Sequence, residues 1–197
     1  MCLAFGITAA QAQVNQPYDG SGNVFASQND TAVGGFGNFA TTYDDFTFNS
    51  TTTTTGISWV GGYFNGSQAP ISSFDITFYL DNGGVPGSAI AAGNFGGNAN
   101  ETVISDPIYS YSVAWNPFTF SAGTYFVSIV AEIPFPPQWG WATSAVGNNG
   151  GYQDFFGTGS ATGVNNAFSI QTTPEPASMA AIGMGLVAIL RRRAKKA

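Results

Sequence analysis

Apolar and polar residues alternate through the middle of the chain. In Ser73-Phe-Asp-Ile-Thr-Phe-Tyr-Leu-Asp81, Phe74, Ile76, Phe78 and Leu80 fall on one face, and Asp75, Thr77 and Tyr79 on the other. A period of two is that of a strand with one side in a core and one in solvent, the usual antiparallel arrangement. The expected core face is Phe74, Ile76, Phe78 and Leu80. Asp81-Asn-Gly-Gly-Val-Pro-Gly87 then supplies dense turn chemistry. Ile57, Trp59, Gly61 and Tyr63 alternate with Ser58, Val60 and Gly62, and Phe46 with Phe48 and Phe118 with Phe120 mark shorter strands. Thr124–Val130 is apolar on both faces at several positions, which predicts a central strand, and Asn166–Ile170 closes the series. About eight to ten strands at this spacing predict an all-β fold, a jelly-roll-like antiparallel β-sandwich. A β-solenoid is the alternative, but no fixed repeat of roughly 20 to 30 residues supports one.

Composition sharpens this picture. Residues 13–172 hold 23 Gly, 15 Asn and a single Leu, with no Met, so most strong helix formers are missing. Charge changes it more. All five basic residues lie in the last seven positions and the chain has no His. Of the eleven acidic residues Glu175 alone lies beyond residue 172, which leaves ten carboxylates and no cation in 13–172. Nucleic-acid binding by this body is excluded, because nothing there neutralises phosphate. Cys2 is the only Cys, so no disulfide framework exists.

The same deficits exclude most catalytic chemistry. Without His, Cys, Lys or Arg, the body lacks the parts of Ser–His–Asp, Cys–His and Schiff-base mechanisms, and of ordinary zinc sites. A glycosidase needs only two carboxylates. Asp44-Asp45 is the sole adjacent pair, and neighbours on a strand point to opposite faces. No enzyme and no cofactor is therefore expected. Calcium is the one alternative, through Asp44-Asp45 or Asp81-Asn82-Gly83, although residues 81–84 read first as a hairpin turn. Trp139 and Trp141 are two apart and share a face on a strand. An exposed pair would stack on sugar rings; core packing is the default for Trp.

The two ends read as addresses. Ala10-Gln11-Ala12 fits an A-x-A cleavage site after a short apolar stretch, so residues 1–12 read as a signal-peptide remnant whose true start lies upstream. At the other end, Pro174-Glu175-Pro176 is followed by fourteen mostly apolar residues, 177–190, and by Arg191, Arg192 and Arg193. As a helix the apolar run spans about 21 Å, short of a ~30 Å hydrocarbon core unless the flanking Arg side chains snorkel. The basic cluster belongs on the cytoplasmic side, which puts residues 13–172 outside.

This tripartite tail, residues 173–197, resembles the PEP-CTERM sorting signal of Gram-negative bacteria. The resemblance implies that a membrane-embedded exosortase recognises Pro174, Glu175 and Pro176 and removes the tail. It also implies an inner-membrane-anchored precursor that passes to the cell surface or the extracellular polysaccharide matrix. Asp44–Phe48, Gly56–Tyr63, Ile76–Gly87, Ala122–Ile129 and Trp139–Trp141 resemble sandwich domains common in such proteins. The expected function is thus that of a non-enzymatic exported surface or matrix protein. A module binding extracellular polysaccharide through Trp139 and Trp141 is the first alternative, and a carboxylate-dependent glycoside hydrolase the second.

Overall fold

The computed structural model describes residues 14–173. The cleavage-site residues Ala10 and Ala12, the motif Pro174–Pro176, the apolar run 177–190 and Arg191–Arg193 lie outside the described residues. No helix occurs among the described residues, which form fifteen strands in two sheets. In chain order they are β1 (Val14–Gln16), β2 (Val24–Ala26), β3 (Gln28–Asp30), β4 (Gly37–Phe48), β5 (Thr52–Phe64), β6 (Ser73–Asp81), β7 (Pro86–Gly96), β8 (Thr102–Ser105), β9 (Ile108–Phe120), β10 (Gly123–Ile133), β11 (Gln138–Ser144), β12 (Tyr152–Phe155), β13 (Thr158–Ala161), β14 (Asn165–Asn166) and β15 (Phe168–Thr172).

One sheet runs β1-β15-β5-β11-β14, with β9 also on β5, β8 on β9 and β2 on β11; the other runs β13-β12-β4-β3-β10-β6-β7, with β4 also on β10. The all-β, two-sheet reading of the sequence holds. It departs from a wholly antiparallel sandwich at one place, where β3 runs parallel to β10 with Ala131 opposite Gln28. Thr124–Val130 is central as expected: β10 pairs with β3, β4 and β6, and Val127, Ile129 and Ala131 are buried.

The core lies between the sheets and is largely aromatic. Ile57, Trp59 and Tyr63 from β5 meet Phe74, Ile76 and Phe78 from β6 and Phe46 and Phe48 from β4. Trp59 stacks on Tyr111 with 13° between ring planes, and Phe74 meets Trp59 edge-on at 5.0 Å. Such pairs add about 0.5–1.5 kcal/mol to the burial of the rings themselves.

Leu80 corrects the sequence reading. Phe74, Ile76 and Phe78 are buried, but Leu80 is 47% exposed. It lies at the end of β6 beside the Asp81–Gly84 turn, where two irregularities break the register with β7. Alternation assigns Leu80 to the inner face; it does not extend the opposite sheet far enough to cover it. Leu80→Ser is accordingly expected to change stability by no more than about 0.5 kcal/mol in urea unfolding. A loss several times larger would restore Leu80 to the core.

Candidate functional site

Three places concentrate polar or aromatic chemistry: the Trp139 seat, the acidic corner at Asp44-Asp45, and an open aromatic cleft.

Trp139 and Trp141 lie on β11, whose backbone pairs with both β5 and β2. Both side chains have no exposed surface, so they offer no face to a sugar, and the stacking reading of this pair is corrected. The reason lies across the sheet. Gly61 and Gly62 of β5 stand opposite Trp141 and Gly140, and a Cβ at Gly61 would come 2.2 Å from the Trp139 ring. The absent side chain is what lets the indole approach β5 this closely. Both indole N–H groups find acceptors: Trp139 Nε1 donates to the Tyr111 hydroxyl at 3.1 Å and Trp141 Nε1 to the Ala167 carbonyl at 2.9 Å.

Tyr111 in turn donates to Glu101 Oε2 at 2.8 Å, and Tyr63 donates to the same oxygen at 2.6 Å. Burial, followed by the hydrogen bond to Glu101, holds the Tyr63 phenol well above its ordinary range, and burial raises Tyr111 as well. These phenols stay protonated at physiological pH and act as donors that tie Glu101 to the core. A Tyr–Glu–Tyr triad of this kind is structural, and residue spacing along the chain carries no sign of it.

Asp44 and Asp45 of β4 point apart, as adjacent strand residues do, yet both are buried. Asp44 accepts the backbone N–H of Asn166 from the facing sheet and that of Asp45 at 3.0 Å; burial pushes its carboxyl well above the usual range. Asp45 Oδ2 accepts from Asn148 Nδ2 at 2.6 Å, and the Asp45 carbonyl accepts from Gln16 Nε2 at 3.2 Å. Gln16, Asp45, Thr47, Gly147 and Asn148 line a depression of about 300 Å³. Asp81 does not join them. Its Oδ1 accepts from Gly84 N at 2.8 Å within the hairpin turn, and β10 lies between β4 and the strand that ends there. No group of three or more His, Cys, Asp or Glu side chains gathers as a metal site among the described residues.

Asp75 and Glu132 form the other acid–acid contact, on neighbouring strands and half-buried. Burial raises the Glu132 carboxyl, Asn29 donating at 2.7 Å opposes this, and the Asp75 charge and hydrogen bond add to it. Asn94 Nδ2 donates to Asp75 Oδ1 at 2.7 Å, so both carboxyl groups are engaged by amide donors from neighbouring strands.

An open cleft of about 300 Å³ lies between β7 and β9, lined by Phe78, Phe95, Trp115 and Phe118 with Asn116 at its edge. Trp115 is half-buried, its edge against Phe78 at 5.7 Å and its Nε1 donating to Thr54 Oγ1 at 3.3 Å. The alternation in β9 marks Trp115 only as one more apolar strand residue. Its exposure comes from the edge strand β7, which leaves the gap between the sheets uncovered.

Residues 172–194 match the PEP-CTERM protein-sorting motif. The match spans Pro174-Glu175-Pro176, the apolar run and the three arginines. This motif implies an exported precursor processed by an exosortase, a membrane enzyme. No curated protein matches the chain.

Proposed function

We propose that the jelly-roll-like sandwich is a non-enzymatic module of the cell surface or extracellular matrix, delivered by its sorting tail. One observation carries the reading: nine of the ten carboxylates between residues 14 and 173 serve as acceptors or partners inside the fold. Besides those already described, Asp19 holds Ser21 N and Thr143, Asp30 holds three backbone N–H groups, and Asp106 holds Tyr109. A general acid or base needs a carboxyl group free to meet substrate in a cleft. These instead accept hydrogen bonds within the strands, turns and loops of the fold.

The test is fractionation of cells producing the full chain. It is expected in the surface or matrix fraction, shortened by the tail, while a variant with Pro174, Glu175 and Pro176 replaced by Ala stays membrane-bound and full-length. Incubation of the purified chain with extracellular polysaccharide should leave the polymer's size distribution unchanged on gel filtration. Depolymerisation would overturn the non-enzymatic reading, and equal release of the triple variant would overturn the sorting route.

One observation favours polysaccharide binding as a second reading, at a different place from Trp139 and Trp141. The cleft beside Trp115 offers aromatic surface and the Asn116 amide in a concave setting. Retention on immobilised polysaccharide that is lost in Trp115→Ala would support it; retention unchanged by that substitution would remove this cleft from consideration.

A further inference from the structure

Both sheets end together where the chain leaves the fold. Phe48, the last residue of β4, pairs with Gly123, the first of β10, and Thr52, the first of β5, pairs with Phe120, the last of β9. Residues 49–51 and 121–122 join those strands across this end. The Asp81–Gly84 turn closes beside them, since Leu80 pairs with Tyr125. Thr172 lies opposite Thr54, and Thr173 N donates to the Thr53 carbonyl at 2.9 Å, so the chain is held in the sheet up to Thr173.

The tether beyond that point is short. Only Pro174, Glu175 and Pro176 separate Thr173 from the apolar run 177–190. Four Cα–Cα steps reach at most about 14 Å, and the headgroups on one side of a bilayer take up roughly 5–8 Å of that. The apolar run, about 21 Å as a helix against a ~30 Å hydrocarbon core, draws its own start inward. In the membrane-anchored precursor that the sorting motif implies, this end of the sandwich therefore stands within about 10 Å of the headgroups.

Its surface chemistry suits that place. Of the ten carboxylates in residues 14–173, Asp81 alone falls in segments 49–51, 80–85 and 121–122, and its Oδ1 is taken up by Gly84 N. Asp45 stands three rungs inward, opposite Phe126, while Asp30 and Glu132 lie on the last rungs of β10 at the opposite end. Leu80 and Val85, 47% and 37% exposed, flank the turn, and the remaining residues of these segments are Asn, Ser, Thr, Gly and Ala. Apolar side chains gain by entering the boundary between headgroups and acyl chains, whereas carboxylates are repelled by anionic lipids. Leu80, left uncovered by the opposite sheet, finds its cover here.

We infer that this end of the sandwich docks on the bilayer surface of the precursor, with Leu80 and Val85 as its apolar contacts. The inference rests on the anchored precursor of the sorting route. Docking holds Pro174–Pro176 at headgroup level, where a membrane-embedded processing enzyme reaches its substrate. Removal of the tail then releases the domain, because two aliphatic side chains without a tether are too few for lasting membrane binding.

The test uses the full-length chain in a Cys2→Ser background, reconstituted in phosphatidylcholine vesicles that carry a headgroup nitroxide lipid. Bimane is attached at Ala122→Cys, on the docked end, or at Val33→Cys, beyond the strand end where Asp30 meets Ile133. The length of β10, roughly 30 Å, separates the two levels. The Ala122 label should lose most of its fluorescence to the nitroxide and the Val33 label little. Leu80→Asp combined with Val85→Asp should restore the Ala122 signal while the chain still floats with the vesicles. The comparison of the two labels leaves Leu80 and Val85 intact, so it decides the matter even where the double variant does not fold. An Ala122 label quenched no more than the Val33 label in a floating chain overturns the docking, as does quenching that survives the double substitution. Failure of the chain with Leu80 and Val85 intact to float overturns the docking and the anchored precursor together, and flotation tells that outcome apart.

Discussion

Trp139→Ala should lower stability by about 3–5 kcal/mol, the range for removing a buried Trp or Phe. For a domain of this size each kcal/mol is worth about 2–4 °C, so calorimetry should find melting roughly 6–20 °C lower. The upper part of the range is expected for two reasons. The ring meets Phe74 edge-on at 5.2 Å and Tyr111 at 5.8 Å, so several aromatic contacts go at once. Its seat is also floored by Gly61, which has no side chain to relax into the void. Tyr111 keeps Glu101 as acceptor but loses the indole donor. Trp139→Phe should recover more than half of the loss, because it refills most of the cavity and forfeits one hydrogen bond. A drop of less than about 1 kcal/mol in Trp139→Ala would mean that the ring does not occupy this seat.

Asp30→Asn should cost about 1.5–3 kcal/mol at pH 7, the range for hydrogen bonds to a charged group. Asp30 Oδ1 accepts from Ala32 N at 3.0 Å and Phe135 N at 2.9 Å, and Oδ2 accepts from Phe36 N at 2.8 Å. Asn keeps one acceptor oxygen and turns an N–H₂ group toward a third donor. Gly35 allows the tight wrap, since a Cβ there would lie 2.3 Å from Oδ2. The clamp holds two loops whose rings, Phe36 and Phe135, meet edge-on at 5.9 Å and pack with Phe39. Burial acts to raise the Asp30 carboxyl, but the three backbone donors outweigh it and hold the group below its ordinary range. The folded state then binds fewer protons than the unfolded one between the two pKa values. Its contribution is complete above the unfolded value of about 3.9 and is lost as pH falls through the lower folded value. The gap in melting temperature between parent and Asp30→Asn should be full at pH 7 and shrink steadily below pH 4. A gap that stays constant to pH 2.5 would show that the charge does not carry the clamp.

Much of this protein is legible in its amino-acid order alone. A period of two in Ser73–Asp81 and Ile57–Tyr63 names which residues face inward, because strand geometry alone puts alternate side chains on one side. The dearth of helix formers sets the class, and Pro174–Pro176 with the apolar run and three arginines sets the route out of the cell through a motif local in sequence. The apolar flanks of Thr124–Val130 mark a central strand because only a strand covered on both faces tolerates them.

What covers each face was decided by the tertiary structure. Leu80 is in phase with Ile76 and still exposed, while Trp139 and Trp141, equally able to face a ligand, are buried, Trp139 against Gly61 of β5 and Trp141 against Phe168 of β15. The carboxylates follow the same division. Asp30 finds Phe135, Asp45 finds Asn148 and Asp44 finds Asn166, each more than a hundred residues away in the chain. Pairings of that range depend on the order of strands within two sheets. Strand periodicity repeats every two residues and carries no information about that order, so the identity of a face is local while its partner is global.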